Sequence, residues 1–352
     1  MKKSTLKLLS SIFILTMFTL LIGCSSGGQQ TNVNSSNEQQ PENKEEITKP
    51  SFSFKLAEIH SGDYPTVVGD KDFAARVSEA TNNRINVEVY EGGALGDERT
   101  IIEQLQLGVI DMARVNTAPL SEFYEDIGVF SLPYLFADMD EAVDILTGSV
   151  GEEMLVGLEE NRLVGLGYQF SGDRNLYNTK KPIRTLEDLK GMKIRVQESE
   201  LWIDLMKELG ASPTPVAFSE VYSALQSGVV DGAENIMSSY FSTNHFEVAG
   251  YYTLNRHTQG VEVLLISKKV WDELSAEDQE ILKEAANASM QVQIEAQKQY
   301  DLDAESKVVE GGAEIIELSP EEFEKFQEAG KKVYEKYGEK YKDWLEKIEN
   351  AK

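Results

Sequence analysis

The chain has only one cysteine, Cys24, and three histidines among its 352 residues. A single cysteine permits no disulfide within the chain, and its place near the N-terminus leaves no thiol for catalysis in the body. His60, His245 and His257 show neither the H-E-x-x-H pattern nor close pair spacing, so no metal site is expected. No P-loop, G-x-G-x-x-G fingerprint or nucleophile elbow is present, and no cofactor is expected. "ADMDEAVD" carries spaced carboxylates without the glycine and distal glutamate of a calcium loop, and reads as a helix N-terminus. Positive charge is scarce. Lys plus Arg number 34 against 60 Asp plus Glu, a formal charge of −26. That balance excludes nucleic acid or an anionic membrane as a partner for a basic surface. It says nothing of a pocket, where local charge rules. With so many acids, a paired-carboxylate hydrolase is the enzymatic alternative left open.

Long apolar runs are equally rare. The one at the N-terminus, Leu8 to Ile22, is 15 residues long and contains Ser10, Ser11, Thr16 and Thr19, whereas a bilayer span needs roughly 20 apolar residues. Three lysines precede it, as in a secretory signal. It ends in Leu21-Ile22-Gly23-Cys24, which resembles the bacterial lipobox, whose cysteine is lipidated and becomes the first mature residue. Residues 1–23 are therefore expected to be a lipoprotein signal peptide. Residues 24–50 would be the lipidated, palmitate-bearing Cys24 and a flexible tether. From Ser25 to Pro50 almost nothing is apolar, so this stretch cannot bury enough surface to order itself, and its root-mean-square reach is roughly 28 Å. The expected location is the outer face of the cell membrane, held by the lipid alone.

From Ser51 onward about 300 residues remain, enough for two lobes rather than one. Strand and helix patterns alternate. "FSFKLAEI", "RINVEVY", "VIDMARVN", "RLVGLGYQF" and "VVDGAEN" read as strands. "TVVGDKDFAARVSEAT", "DERTIIEQLQLG", "SELWIDLMKELG" and "SEVYSALQSG" read as helices. The alternation indicates an α/β fold with parallel strands and crossover helices; no internal repeat is apparent. From Ser275 to about Ser306 the chain is helical without Gly or Pro, long enough to brace both lobes. A short strand "AEIIEL" and a charged helical tail follow.

"LEDLKGMKIRV" poses a sharper question. Ile194 and Val196 suit a core-facing strand, yet Arg195 stands between them, on the opposite face. It lies either in solvent on an edge strand or in a cleft awaiting an anion. In open α/β sheets ligands sit beyond the carboxyl ends of strands, and Arg195, Asn116 and Asn235 fall at or near such ends. Arg114 lies two residues before Asn116, on the same strand face. An arginine forks a carboxylate with two charge-assisted bonds.

The segments "GGALGDERTIIEQLQLGVIDM", "LPYLF", "TLEDLKGMKIRV", "PTPVAFSEVYSALQSGVVDGAEN" and "HFEVAGYYTL" occur in an order and spacing that resemble the solute-binding proteins of tripartite ATP-independent periplasmic (TRAP) transporters, the DctP family. The likeness covers almost all of Phe52–Leu318. It implies a two-lobed clamp like that of periplasmic binding proteins, each lobe a mixed sheet flanked by helices, closing on an organic acid without catalysis. Lobe I would be 51–171 plus 261–302, and lobe II 172–260 plus 303–349. By the resemblance, Arg195 forks the ligand carboxylate, Arg174 is a second carboxylate contact, Asn235 a polar contact and Phe218 an apolar wall. Asn116, Glu98 and His60 match pocket-lining positions, and Glu234 and His257 match partners that hold Arg174. Taken alone, Phe218 also suits a core, Glu98 a helix start and His60 a loop; Tyr222 reads as core.

The run "SGDRNLYNTKKPI…IRVQESELW…GAENIMSSYFSTNHFEVAGYYTL" is most similar to members that bind hexuronates such as D-glucuronate and D-galacturonate. Buried sugar hydroxyls need polar partners, and Asn116, Glu98, His60 and Asn235 would supply them. A C4-dicarboxylate is the alternative ligand and would need a second cation, a part open to Arg114. The remaining alternatives are a secreted sugar-acid lyase or hydrolase and a binding protein of an ABC importer. Expected partners are the small organic acid and the small and large TRAP membrane subunits.

Overall fold

The computed structural model describes residues 51–352; the leader, Cys24 and the tether lie outside the described residues. Nine strands form one mixed sheet: β1 (Phe52–Ala57), β2 (Ile85–Tyr90), β3 (Met112–Asn116), β4 (Leu163–Asn178), β5 (Lys193–Val196), β6 (Ser212–Pro215), β7 (Gly232–Asn235), β8 (Tyr251–Ser267) and β9 (Glu314–Glu317). Their order is β2-β1-β3-β8-β4-β7-β5-β6, with β9 also on β8. The expectation of parallel strands needs correction. β1/β2, β1/β3, β5/β6, β5/β7 and β8/β9 are parallel, but β3/β8, β4/β8 and β4/β7 are antiparallel.

The antiparallel ribbon of β4 and β8 ties the sheet together. β3 pairs with the C-terminal part of β8, from Glu262 to Ile266, whereas β7 pairs with the C-terminal part of β4, from Asn175 to Asn178. The sequence obscured this ribbon because its middle is polar and irregular. Register shifts interrupt it between Gly165 and Gly167, Phe170 and Gly172, and Arg174 and Leu176. At the last of these, side-chain amides replace the missing ladder bonds. Leu176 N–H donates to Asn255 Oδ1 at 3.1 Å, and Arg256 N–H donates to Asn175 Oδ1 at 2.8 Å. Bulges of this kind bend a strand and re-aim its side chains, here beside Arg174.

An internal repeat is also present, against expectation. Leu105-Gln106-Leu107-Gly108-Val109-Ile110-Asp111 and Leu225-Gln226-Ser227-Gly228-Val229-Val230-Asp231 each end a helix and lead into a strand. Gly108 (φ 69°) and Gly228 (φ 73°) both cap in the left-handed region, which glycine enters at no steric cost. Asp111 Oδ2 accepts the Lys55 N–H at 2.8 Å, and Asp231 Oδ2 accepts the Lys193 N–H at 3.0 Å. The strands that follow end in Asn116 and Asn235. Two copies of one device thus deliver an asparagine to the site.

The Ala276–Glu310 helix starts at the Ser275 cap, whose hydroxyl accepts the Asp278 N–H at 3.1 Å. It packs on the Pro65–Ala80 helix, on β4 and on the Met237–Ser242 helix. Gly69 permits the first contact, since a Cβ there would lie 2.8 Å from Gln293 Cβ. Gln293 in turn bonds both backbone groups of Phe170, accepting at 3.0 Å and donating at 2.9 Å. Among the described residues no helix is long and apolar enough to cross a membrane.

Candidate functional site

Strand β5 is buried on both faces: Ile194 and Val196 on one are fully buried, and Arg195 on the other is 3% exposed. The strand is internal, held between β6 and β7, so the solvent-facing alternative is excluded. Arg195 Nε donates to the Val216 carbonyl at 2.8 Å. The residue lines a cavity of about 480 Å³ together with Glu98, Gln197, Phe218, Tyr222 and His245. Burial pushes its pKa down, the nearby Glu234 carboxylate working against that.

The other two buried arginines are already neutralised. Arg174, on β4, meets Glu234 of β7 through Nε–Oε2 at 2.8 Å and Nη2–Oε1 at 2.9 Å. His257 Nε2 lies 3.5 Å from Glu234 Oε2, and the Trp202 ring underlies the Arg174 guanidinium at 5.0 Å. Burial opposes the charge on Glu234, but Arg174 prevails and its pKa is lowered. Arg114, wholly buried on β3, donates to both oxygens of Glu58, with Nε–Oε2 at 2.8 Å. Burial works against Glu58 too, yet Arg114 holds it well below the usual carboxylate range. Among the described residues no carboxylate lies within 4.0 Å of Arg195. It is the buried arginine left with charge to offer.

A narrow recess adjoins the larger cavity and shares Ile59, Glu98, Gln197 and Phe218 with it. Ile236 and Ser239 are further parts of its wall, as are His60, Asn116, Arg174, Asn235 and Glu262. Each of these is held. Glu98 Oε1 accepts the Asn116 backbone N–H at 2.7 Å and its Nδ2 at 2.8 Å. His60 stacks on Tyr64 with ring centroids 3.8 Å apart, and its Nδ1 lies 3.1 Å from Glu58 Oε1. Asn235 Oδ1 accepts the Ile236 N–H at 2.9 Å. Phe218, on a short turn at Phe218–Glu220, lies 5.0 Å from the His60 ring.

The structure therefore brings His60, Glu98, Asn116, Arg174, Arg195, Phe218 and Asn235 onto one continuous wall, with Glu234 and His257 behind Arg174. Tyr222 departs from the sequence expectation: it is half-buried and lines the cavity instead of the core. Sequence reasoning missed Glu58, Gln197, His245 and Glu262. Glu58 and Glu262 could have been suspected, since each interrupts an apolar strand run, "KLAEI" and "GVEVLLI". His245 gave no such signal. Burial first and Arg195 second push its pKa down to about 3, and it pairs with the Tyr177 hydroxyl at 2.8 Å. Among the described residues no group of three or more His, Cys, Asp or Glu could hold a metal ion.

Polar groups thus surround one unneutralised arginine in a cleft, an arrangement suited to holding an oxygen-rich anion. The family model of bacterial extracellular solute-binding proteins, family 7 (DctP), matches residues 56–340. A solute-binding protein of Chromohalobacter salexigens is 37% identical over 270 residues, 75% of this chain and 80% of that protein. Two solved structures share the fold. A TRAP periplasmic solute-binding protein of a Bradyrhizobium species, in complex with D-galacturonate, superposes with a TM-score of 0.82 at 39% identity, covering 85% of this chain and 99% of the other. One from Pseudomonas putida with bound D-glucuronate gives 0.81 at 36% identity, covering 84% and 96%. The chain belongs to family 7 of the bacterial extracellular solute-binding proteins, the DctP family, and is an extracytoplasmic TRAP solute-binding protein rather than an enzyme.

Proposed function

We propose that the protein binds a hexuronate, D-glucuronate or D-galacturonate, through its carboxylate and passes it to the small and large membrane subunits of a TRAP permease. Arg195 carries the assignment. It is buried, bordered by a cavity of about 480 Å³ and without a carboxylate partner within 4.0 Å among the described residues. A ligand carboxylate would complete it with two charge-assisted bonds, each contributing roughly 1.5–3 kcal/mol. Arg174 stands at the recess as a second contact, its charge shared with Glu234. Glu98, Asn116, Asn235 and His60 are partners for hydroxyls, and Phe218 is the apolar wall. The similar structures holding galacturonate and glucuronate support the same ligand class.

A C4-dicarboxylate fits less well. Its second carboxylate would need Arg114, which both oxygens of Glu58 already occupy. In the proposed clamp, 51–171 with 261–302 forms one lobe and 172–260 with 303–349 the other, with the bulged middle of the β4–β8 ribbon between them. A lipid on Cys24 would hold the protein at the membrane. A thermal-shift screen of uronates, aldonates and C4-dicarboxylates tests the ligand class. A ligand at a hundredfold excess over Kd raises stability by about 2.7 kcal/mol. Uronates should produce the largest shift; succinate or malate in first place would overturn the assignment.

A further inference from the structure

Glu262 is a wall residue of the recess with a buried side-chain oxygen that no hydrogen bond satisfies among the described residues. It lies on β8 opposite Asn116 of β3, and is 2% exposed. Its Oε1 accepts the Ser171 hydroxyl at 2.8 Å. Its Oε2 is just as buried, yet has no hydrogen-bond partner among the described residues. The side chain forms part of the recess wall with Glu98, Asn116 and Asn235. Arg114 Nη1 comes within 3.7 Å of Glu262 Oε1 and 3.9 Å of Glu98 Oε1, too far to satisfy either by a direct bond.

A buried carboxylate oxygen without a donor is costly, and only a group carrying a proton can complete it. A hydroxyl does so. A carboxylate brings no donor and sets a second negative charge against the first in a medium that screens poorly. Burial already raises the pKa of Glu262, and Glu58 adds to that effect while Arg114 and His60 oppose it. A further anion would be resisted there. Resting on the hexuronate assignment, we propose that Glu262 is a specificity-determining residue. It accepts a sugar hydroxyl away from the Arg195-bound carboxylate, and it rejects ligands that present a second carboxylate in the recess.

The test is calorimetric titration of the parent, Glu262→Gln and Glu262→Asp with D-galacturonate, and competition against it by galactonate and galactarate. The last two are open-chain acids that differ only in a terminal hydroxymethyl or carboxylate. Glu262→Gln preserves side-chain volume and an acceptor for Ser171 but removes the charge. It should bind galactarate at least ~10-fold better relative to galactonate than the parent does. Glu262→Asp retracts the charge without removing it, so it should weaken galacturonate ~10-fold or more while still excluding galactarate. Melting of each ligand-free variant checks folding, and either variant, properly folded, is enough to test the proposal. An unchanged galactonate-to-galactarate ratio in Glu262→Gln overturns it, as does unchanged galacturonate affinity in Glu262→Asp. A parent that binds no uronate at all overturns the underlying assignment instead, and is read from the first titration alone.

Discussion

Arg174 of β4 reaches diagonally to Glu234 of β7, whose register partner is Leu176, and the two join at two points, 2.8 and 2.9 Å. Both are buried, so their mutual neutralisation is a condition of the fold as well as of the site. Taking two charges from water is expensive, and removing one partner leaves the other uncompensated. Glu234→Gln should therefore lower unfolding stability by roughly 3–5 kcal/mol, measured by urea denaturation of the ligand-free protein. A loss under about 1 kcal/mol would show that the pair is solvated in solution.

Arg195 makes the opposite case. No carboxylate lies within 4.0 Å of it among the described residues, so its replacement should cost binding far more than folding. Arg195→Ala should weaken uronate affinity by about 2–5 kcal/mol, part of it from stranding the ligand carboxylate without a partner. Arg195→Lys keeps the charge but not the planar fork, and should also weaken binding clearly. Arg184, whose side chain is 60% exposed and meets Glu314 at 2.6 Å, is the surface control, and its replacement by Ala should leave affinity unchanged. Calorimetry giving equal affinities for Arg195→Ala and Arg184→Ala would remove Arg195 from the site.

Asp301 sets a pH dependence. Its Oδ1 accepts the Ser238 N–H at 3.1 Å and its Oδ2 accepts Gln297 Nε2 at 2.9 Å. Burial raises its pKa from 3.8 to about 6 despite these bonds. The folded state thus holds the proton more tightly than the unfolded chain. This group's contribution to stability falls as pH rises from about 4 to about 6. Asp301→Asn removes that dependence, and Gln297 Oε1, which has no other partner among the described residues, can accept the new amide. The variant should gain roughly 1–2 kcal/mol near pH 7.5 and nothing below pH ~4. A gain that is constant with pH would mean that the carboxyl titrates normally.

Lobe closure has a direct signature. If two lobes close on the ligand, saturating uronate should reduce the X-ray scattering radius of gyration. The same radius with and without bound ligand would rule out a clamp while leaving binding intact.

The lipid anchor is tested by fractionation. The mature protein should enter the detergent phase through Cys24, and Cys24→Ala should release it to the aqueous phase. Identical partitioning of the two would discard the anchor.

Much of the fold was written in local order. Asp97 before a periodic helix, Gly108 after it and the apolar strands β1 to β3 are short-range signals, and each folds as its own residues dictate. The strand patterns carried the location of Arg195, Asn235 and Asn116 at or near strand ends, and the ordered family segments carried the roles expected of them. Sequence did not disclose the β4–β8 ribbon, because its bulges destroy the period-two alternation that marks a strand, and amides of Asn175 and Asn255 substitute for ladder bonds. Nor could the residues by themselves rank the arginines, which only the family resemblance told apart. Arg114, Arg174 and Arg195 are equivalent as residue types. Their roles differ because Glu58 and Glu234 reach the first two across neighbouring strands, and no carboxylate reaches the third among the described residues. Charge pairing is set by distances of a few ångströms between residues far apart in the chain, and only the tertiary structure fixes those.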